Sequence, residues 1–407
     1  SVDFLLMNAK NISLILDGFL FVRGDEIKRI AYLLGLAFIL LADIASCKAN
    51  ELQVSSENTI KPDCPAIGAI RWDAWYGSKD FIGQAVIRSL SPEKWHYRLP
   101  VCAKVIAPEA ILIDCASQVV IDQEIVYAKK AGIDYWAFVL YDENVLLSQG
   151  LKNYLYSANK PLVNFSLITE FGRFWVPDSY KKSVDRIISL MRDSSYQKVL
   201  NGRPLLSVGF FGGKGLRQSP NDDDIKTVFN DFRRKTNNAN LANPYIVVMD
   251  YNPKRAQLLA DRFGLDAIST YAYPGNSGET SHQYDILAAN TEKYWEQAKA
   301  TGAQIVPVVM SGWDRRPRIE NPVPWEEGKE IVGKYYQQPT PAELAQHLKN
   351  ALDWVESGTN NTEANTLIVY AWNEFDEGGW LAPTASEGTA RIDALAEIVR
   401  RECPTKH

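Results

Sequence analysis

Near the C-terminus the apolar run Leu367-Ile-Val-Tyr-Ala-Trp372 ends abruptly in Asn373, Glu374, Asp376 and Glu377, followed by Gly378 and Gly379. A buried strand that finishes in carboxylates is how a parallel α/β sheet presents acid and base groups at its C-terminal edge. Glu374 and Glu377, on a glycine-shaped loop, have the types and spacing to act as the acid and base of glycoside cleavage. Their separation in sequence leaves their separation in space open. A retaining pair needs about 5–5.5 Å and an inverting pair about 6.5–9.5 Å. The plain alternative is a set of surface-loop acids or a helix N-cap cluster.

Such a pair needs a strand to carry it, and the chain supplies a regular series. β-like runs fall at 66–72, 134–141, 164–169, 204–211, 245–250, 267–273, 304–311 and 367–373. Helical patterns fall between or after them at about 119–131, 148–158, 178–193, 221–236, 253–263, 281–301, 341–357 and 388–401. The strands are continuous in hydrophobicity rather than alternating, which suits burial on both faces. Eight β–α units predict an α/β fold, a (β/α)8 TIM barrel, with long insertions after strand 1 (about 74–118) and strand 7 (312–338). A doubly wound sheet is the alternative. It usually opens on a glycine-rich turn, whereas strand 1 here ends in Arg71-Trp-Asp-Ala-Trp-Tyr76.

In a barrel, the strand C-termini line the site. Strand 1 brings Arg71, Trp72, Asp73, Trp75 and Tyr76, and strand 2 brings Tyr141 and Asp142. Strand 3 brings Glu170 and Arg173, strand 5 Asp250, and strand 6 Tyr271 and Tyr273. Strand 7 brings Trp313, Asp314 and Arg316, and strand 8 brings Trp372 and Asn373 beside the two glutamates. Carboxylates, arginines and aromatic rings suit sugar hydroxyls and sugar faces. The stretch Trp313-Asp-Arg-Arg-Pro-Arg318 reads as a substrate clamp with Trp313 as a stacking platform, or as a surface salt-bridge network. Phe210-Phe-Gly-Gly-Lys-Gly215 does not have phosphate-loop spacing. His96 reads as a structural hydrogen-bonder.

Composition narrows the partners. The net charge is −5 over 407 residues with no basic block, so no nucleic-acid partner is expected. The 11 Trp and 19 Tyr exceed what a core needs, and the surplus falls at strand ends. The four histidines have no metal-ligand spacing and no paired CxxC occurs, so no metal and no cofactor are expected. The chain is expected to act as a monomer on a polysaccharide or glycan.

Residues 1–47 read as a targeting segment: Lys28 and Arg29, an uncharged run from Ile30 to Ala42, then Asp43-Ile-Ala-Ser-Cys47. The tetrad ending in Cys47 is similar to a bacterial lipobox, whose cysteine becomes the lipidated first residue. The run is short for a membrane span. Residues 1–27 fit no part of a signal, and the chain begins with Ser rather than Met, which points to upstream sequence or a misplaced start. The expectation is an exported chain, either a lipoprotein of the cell envelope held to a membrane through Cys47, or periplasmic or secreted. Residues 48–62 read as a linker and 63–403 as the catalytic barrel. Cys102 and Cys115 could bridge in an oxidising compartment.

Trp372-Asn-Glu-Phe-Asp-Glu-Gly378 resembles the NEWHEG-type motif of glycoside hydrolase family 99, the endo-α-mannosidases and endo-α-mannanases, and the NEWAEG motif of the related WbsX-like proteins. Ser311-Gly-Trp-Asp-Arg-Arg-Pro317 resembles the GWDNTPR-type segment of the WbsX-like group. The resemblance covers about 64–401, is sharp in these two segments, and implies a (β/α)8 barrel. It further implies that Glu374 acts as a base on the sugar 2-hydroxyl. That assists internal displacement through a 1,2-anhydro sugar with retention, and Glu377 is the general acid/base. The chain departs from family 99 at Phe375 and Asp376, where that family has Trp and His, and in Gly379-Trp-Leu-Ala-Pro383. A glycan-binding barrel without turnover, and a glycosyltransfer role in surface polysaccharide assembly, are the rival readings.

Overall fold

The computed structural model describes residues 64–406 apart from 176, 210–221, 276–280, 327–334 and 359. The targeting segment with Cys47, the linker 48–62 and the glycine-rich stretch 210–215 lie outside the described residues. Eight strands run parallel: β1 (Ala66–Arg71), β2 (Tyr135–Val139), β3 (Asn164–Glu170), β4 (Arg203–Gly209), β5 (Tyr245–Met249), β6 (Ala267–Ser269), β7 (Val308–Met310) and β8 (Thr366–Tyr370). Their hydrogen-bonded order is β7-β8-β1-β2-β3-β4-β5-β6. A parallel bridge between Ile268 and Ile305 joins the two ends of that order, with Val306 N donating to Ile268 O at 3.0 Å. The result is a (β/α)8 barrel.

The helices follow their strands: α1 (Gln118–Lys130), α2 (Gln149–Tyr156), α3 (Pro177–Met191), α4 (Asp222–Asn238), α5 (Pro253–Phe263), α6 (Tyr284–Lys299), α7 (Pro341–Ser357) and α8 (Ala390–Glu402). Several starts are written locally. Ser117 caps α1, Asn252 caps α5, and Thr340 with Glu343 forms a capping box on α7. The strands lack polar alternation because both faces are covered. On β2, Tyr135 and Ala137 pack inside the barrel with Ile70, Met249 and Met310, while Trp136 and Phe138 pack outward against the helices.

The insertion after β1 holds a helix, Phe81–Leu90, a 3-10 turn, Glu93–Arg98, and a hairpin of Ala103–Ala107 with Ala110–Ile113. Asp80 caps that helix by accepting from Gly83 N at 2.9 Å. A Cys102–Cys115 disulfide closes the hairpin. A second disulfide, Cys64–Cys403, ties the approach to β1 to the end of α8 across 339 residues of chain. Beside it, Lys406 donates to Asp134 at 2.5 Å. Among the described residues no helix is long and apolar enough to cross a membrane.

Candidate active site

Strand β8 stops at Tyr370 rather than running on to Asn373. Asn373–Glu374 then pairs antiparallel with Gly379–Trp380, Asn373 opposite Trp380 and Glu374 opposite Gly379. Glu374 therefore sits on a rigid short strand, and Asp376 and Glu377 occupy the turn. The loop after β7 lies against that turn: Asp314 N donates to Glu377 O at 2.7 Å. Contact this close requires glycine. Gly378 has φ +84°, and a Cβ there would lie 2.5 Å from Asp314 N. Gly312 has φ +143°, and its Cβ would lie 2.1 Å from Gly378 O.

Two buried arginines tie the same loops together. Arg98, from the first insertion, donates to Asp314 O at 3.1 Å, Phe375 O at 3.2 Å and Asp314 Oδ2 at 2.7 Å. Arg391, on α8, donates to Ser311 O at 3.1 Å and Trp380 O at 3.0 Å. Each guanidinium satisfies carbonyls that would otherwise be buried without partners.

The carboxyls meet around a third arginine. Arg318, on the short helix Arg316–Glu320, is 6% exposed. It grips Asp376 with two bonds, Nε to Oδ2 at 2.8 Å and Nη2 to Oδ1 at 3.0 Å. Its Nη1 donates to Glu326 at 2.8 Å and also to Glu377 Oε1. Its Nη2 stands 3.7 Å from Glu374 Oε2. The Tyr271 hydroxyl donates to Glu374 Oε1 at 2.6 Å, and the Tyr370 hydroxyl donates to Glu377 Oε2. Arg315 Nε lies 3.4 Å from Glu377 Oε1.

These surroundings drive the two glutamates apart. Burial, then the Glu377 charge, pushes the Glu374 carboxyl well above the ordinary range, against the pull of Arg318 and Tyr271. Burial acts on Glu377 in the same sense. There Arg318, Arg315 and the Tyr370 hydroxyl outweigh it and hold the carboxyl below its usual value. Tyr271 and Tyr370 are raised well above the phenol range, by burial first and then by the adjacent carboxylates, so both stay neutral donors.

Both glutamates and Arg318 open onto one cavity of about 520 Å³ at the C-terminal mouth of the barrel. Trp72, Trp313, Trp325 and Tyr271 supply its aromatic lining, and Tyr141 and Glu170 supply polar groups. Trp72 donates to Tyr141 Oη at 2.9 Å and meets Trp325 edge-on at 6.0 Å between centroids. Phe81, Ile82, Val139, Leu147 and Ala272 complete the wall. Among the described residues no group of His, Cys, Asp and Glu converges as metal ligands.

Of the residues expected at strand ends, Trp72, Tyr141, Glu170, Tyr271, Trp313, Glu374 and Glu377 line the cavity. The others do not, and in each case a nearer partner explains it. Arg71 is buried beneath the site, 2.9 Å from Asp73 and 2.6 Å from Glu124. Asn373 accepts from Trp72 N at 3.0 Å, and its carbonyl accepts from Trp75 Nε1 at 2.7 Å. Tyr76 bonds Asp80 at 2.9 Å, and Trp372 packs on Trp136. Asp142 is exposed and paired with Arg173 at 2.8 Å. Asp250 accepts from Asn252 N at 2.8 Å and pairs with Arg255, and so organises the start of α5. Tyr273 packs on Tyr294. Asp314 is held by Arg98 and Arg316, and Arg316 itself stacks on Tyr335. Tyr370 and Trp325, not expected as site residues, take part instead, as does Arg318 from the stretch read as a substrate clamp. Arg318 ends the clamp stretch and reaches Asp376 and Glu377, and Arg315 stands 3.4 Å from Glu377 beside it.

The family described as glycosyltransferase WbsX matches residues 172–395. Among solved structures, the family 99 endo-α-mannosidase of Bacteroides thetaiotaomicron, in complex with bis-tris-propane, is 13% identical, covers 83% of this chain and 97% of its own, and has a TM-score of 0.51. A second structure of that endo-α-mannosidase is 14% identical with the same coverage and a TM-score of 0.49. At such identity the likeness is one of fold. No curated protein matches the chain. A match over more than half of its length, on a barrel of the family 99 kind, makes this chain a member of the WbsX family.

Proposed function

We propose that this barrel is a glycoside hydrolase acting on a neutral glycan, with Glu374 and Glu377 as its two carboxyls. The observation that carries the reading is their convergence, with opposite electrostatic bias, on one aromatic-lined cavity at the barrel mouth. Carboxyls pushed apart in pKa are how one site runs acid and base chemistry together. A cavity of about 520 Å³ falls within the range of small-molecule and cofactor sites, about 300–1,000 Å³. Endo action on α-mannosides with retention is the finer form of this reading, supported by the motif resemblance and by the fold shared with an endo-α-mannosidase.

The family's name raises glycosyl transfer as a rival. Cavity charge favours hydrolysis. Glu170, Glu374 and Glu377 face the space, and Arg318, the one lining arginine among the described residues, is engaged by Asp376, Glu326 and Glu377. Among the described lining residues a nucleoside diphosphate would meet Glu170, Glu377 and an arginine already held by three carboxyls.

We also propose an exported chain, anchored through Cys47. Its two disulfides suit an oxidising compartment, as does the basic and apolar segment before that cysteine. The functional test is incubation with a panel of neutral α- and β-linked glycans, following new reducing ends by anomer-resolved NMR. Release of one anomer supports hydrolysis. Binding without product across the panel supports the silent-barrel reading.

A further inference from the structure

Between the carboxyls that follow β8 and Glu170 at the end of β3, the cavity wall is built from the ends of β1 and β2 and is hydrocarbon. The two strands are neighbours with Arg71 opposite Phe138, so Trp72 and Val139, one residue on, stand side by side at the mouth. Past β2 the chain makes a 3-10 turn, Leu146–Ser148. Ser148 Oγ donates back to Tyr141 O at 3.2 Å and Asp142 O at 2.8 Å, which holds Leu147 close to the end of that strand. Past β1, Asp80 accepts from Tyr76 Oη and from Gly83 N, both at 2.9 Å, and fixes the helix start that carries Phe81 and Ile82. All five side chains line the cavity, and Trp72, Ile82, Val139 and Leu147 share one apolar cluster. Phe81 is 62% exposed, an apolar ring left uncovered on that wall. The one N–H these side chains carry, Trp72 Nε1, is occupied by Tyr141 Oη at 2.9 Å.

We infer that the sugar bound here is a 6-deoxyhexose, with its C6 methyl against Ile82, Val139 and Leu147. This rests on the glycan reading of the cavity and names the class of sugar. Acceptors on both sides with hydrocarbon between them match a ring whose hydroxyls point to either side of one apolar edge. In a 6-deoxyhexose that edge is the C6 methyl with C5–H. Branched aliphatic side chains offer no flat face to a sugar ring, so they suit a small carbon group. A hexose in the same pose would press O6 against hydrocarbon, with no partner among these five side chains to replace the water it loses. An acetyl methyl would bring a carbonyl that needs a donor, which these five side chains do not supply. The change is at C6 alone, so the 2-hydroxyl that the motif resemblance gives to Glu374 is kept.

The test is binding to the full chain by NMR titration and saturation transfer. The probes are methyl glycosides in pairs that differ only at C6: α-mannosides in the D and L series and α-galactosides in the L series, each with its 6-deoxy counterpart. Methyl N-acetylglucosaminide is the acetyl control. In at least one pair the 6-deoxy member should bind about 10–200-fold tighter, the range a hydrophobic pocket gives for one small group. Its C6 methyl should receive the strongest saturation. Val139→Thr places a hydroxyl on the wall at nearly unchanged shape and should narrow that ratio. Ile82→Thr, at a half-buried helix position, does the same should Val139→Thr unfold.

Equal or tighter binding of the hexose in every pair, tighter binding of the acetyl control, or no binding by any of these glycosides overturns the inference. Turnover separates it from the reading it rests on. Cleavage of hexose glycans with no preference for 6-deoxy units overturns the inference and leaves the hydrolase standing. Preferential binding of 6-deoxy glycosides without cleavage of any glycan supports the inference and counts against the hydrolase.

Discussion

Replacing Arg318 by Met removes the guanidinium that Asp376, Glu377 and Glu326 share and that Glu374 approaches, while keeping much of the side chain's volume. Arg318 is 5% exposed in its side chain, and Asp376 is fully buried. Breaking a buried ion pair by removing one partner typically costs about 3–5 kcal/mol, because a charge is left without compensation. For a barrel of this size the unfolding entropy is about 0.7 kcal/mol/K, so the expected fall in Tm at pH 7 is about 4–7 °C.

The pH dependence fixes the cause. In the native protein Glu377 is held below its usual pKa, so its contribution is present above the unfolded pKa and is lost as pH falls through the folded value. In Arg318→Met the orphaned carboxyls rise in pKa and become neutral on mild acidification. The gap between variant and parent should therefore narrow from pH 7 to about pH 5. Urea unfolding and thermal melts at both pH values measure it. A deficit that is equal at pH 7 and pH 5, or below about 1 kcal/mol at pH 7, refutes the argument that Arg318 acts through charge.

Three further outcomes are expected. Cys64→Ala with Cys403→Ala should lower stability by about 3–5 kcal/mol, since the bridge closes almost the whole barrel into one loop; an unchanged urea midpoint counts against the staple. Trp325→Ala and Trp313→Ala should each weaken glycan binding roughly five- to tenfold in calorimetry, with an unaltered melt for Trp325→Ala, whose ring is 38% exposed. Normal affinity in both would mean that these rings are packing alone. Cells expressing the chain with Cys47→Ala should shift it from the membrane to the soluble fraction or leave it unprocessed, and a soluble parent protein removes the anchor proposal.

The barrel was legible in the sequence because burial on both faces writes each strand as an unbroken apolar run. The expected 245–250 and the observed Tyr245–Met249 differ by one residue. Strand ends were less legible. The run 267–273 contributes only Ala267–Ser269 as strand, since Thr270 Oγ1 donates to Ala272 O at 2.9 Å and turns the chain, and that turn carries Tyr271 to Glu374.

Lining residues were legible only in part, because a polar residue at a strand end takes whichever partner folding brings nearest. Arg71 finds Glu124 on α1, and Asp314 finds Arg98 from the first insertion, 216 positions away. No local pattern encodes such pairs. Tyr370 reads as strand core, yet its hydroxyl meets Glu377. Trp325 reads as loop, yet it meets Trp72 edge-on in the cavity wall. The helix Phe81–Leu90 inside the first insertion places Phe81 and Ile82 on the cavity wall.

The most direct test of the central claim is the release of reducing ends from neutral glycans by the wild-type chain beside a Glu374→Gln/Glu377→Gln double variant, with folding of both checked by thermal melt. The wild type should release product and the double variant none above background, with glycan binding retained. Equal release by both proteins, or binding without release by the wild type on every linkage tried, would contradict it.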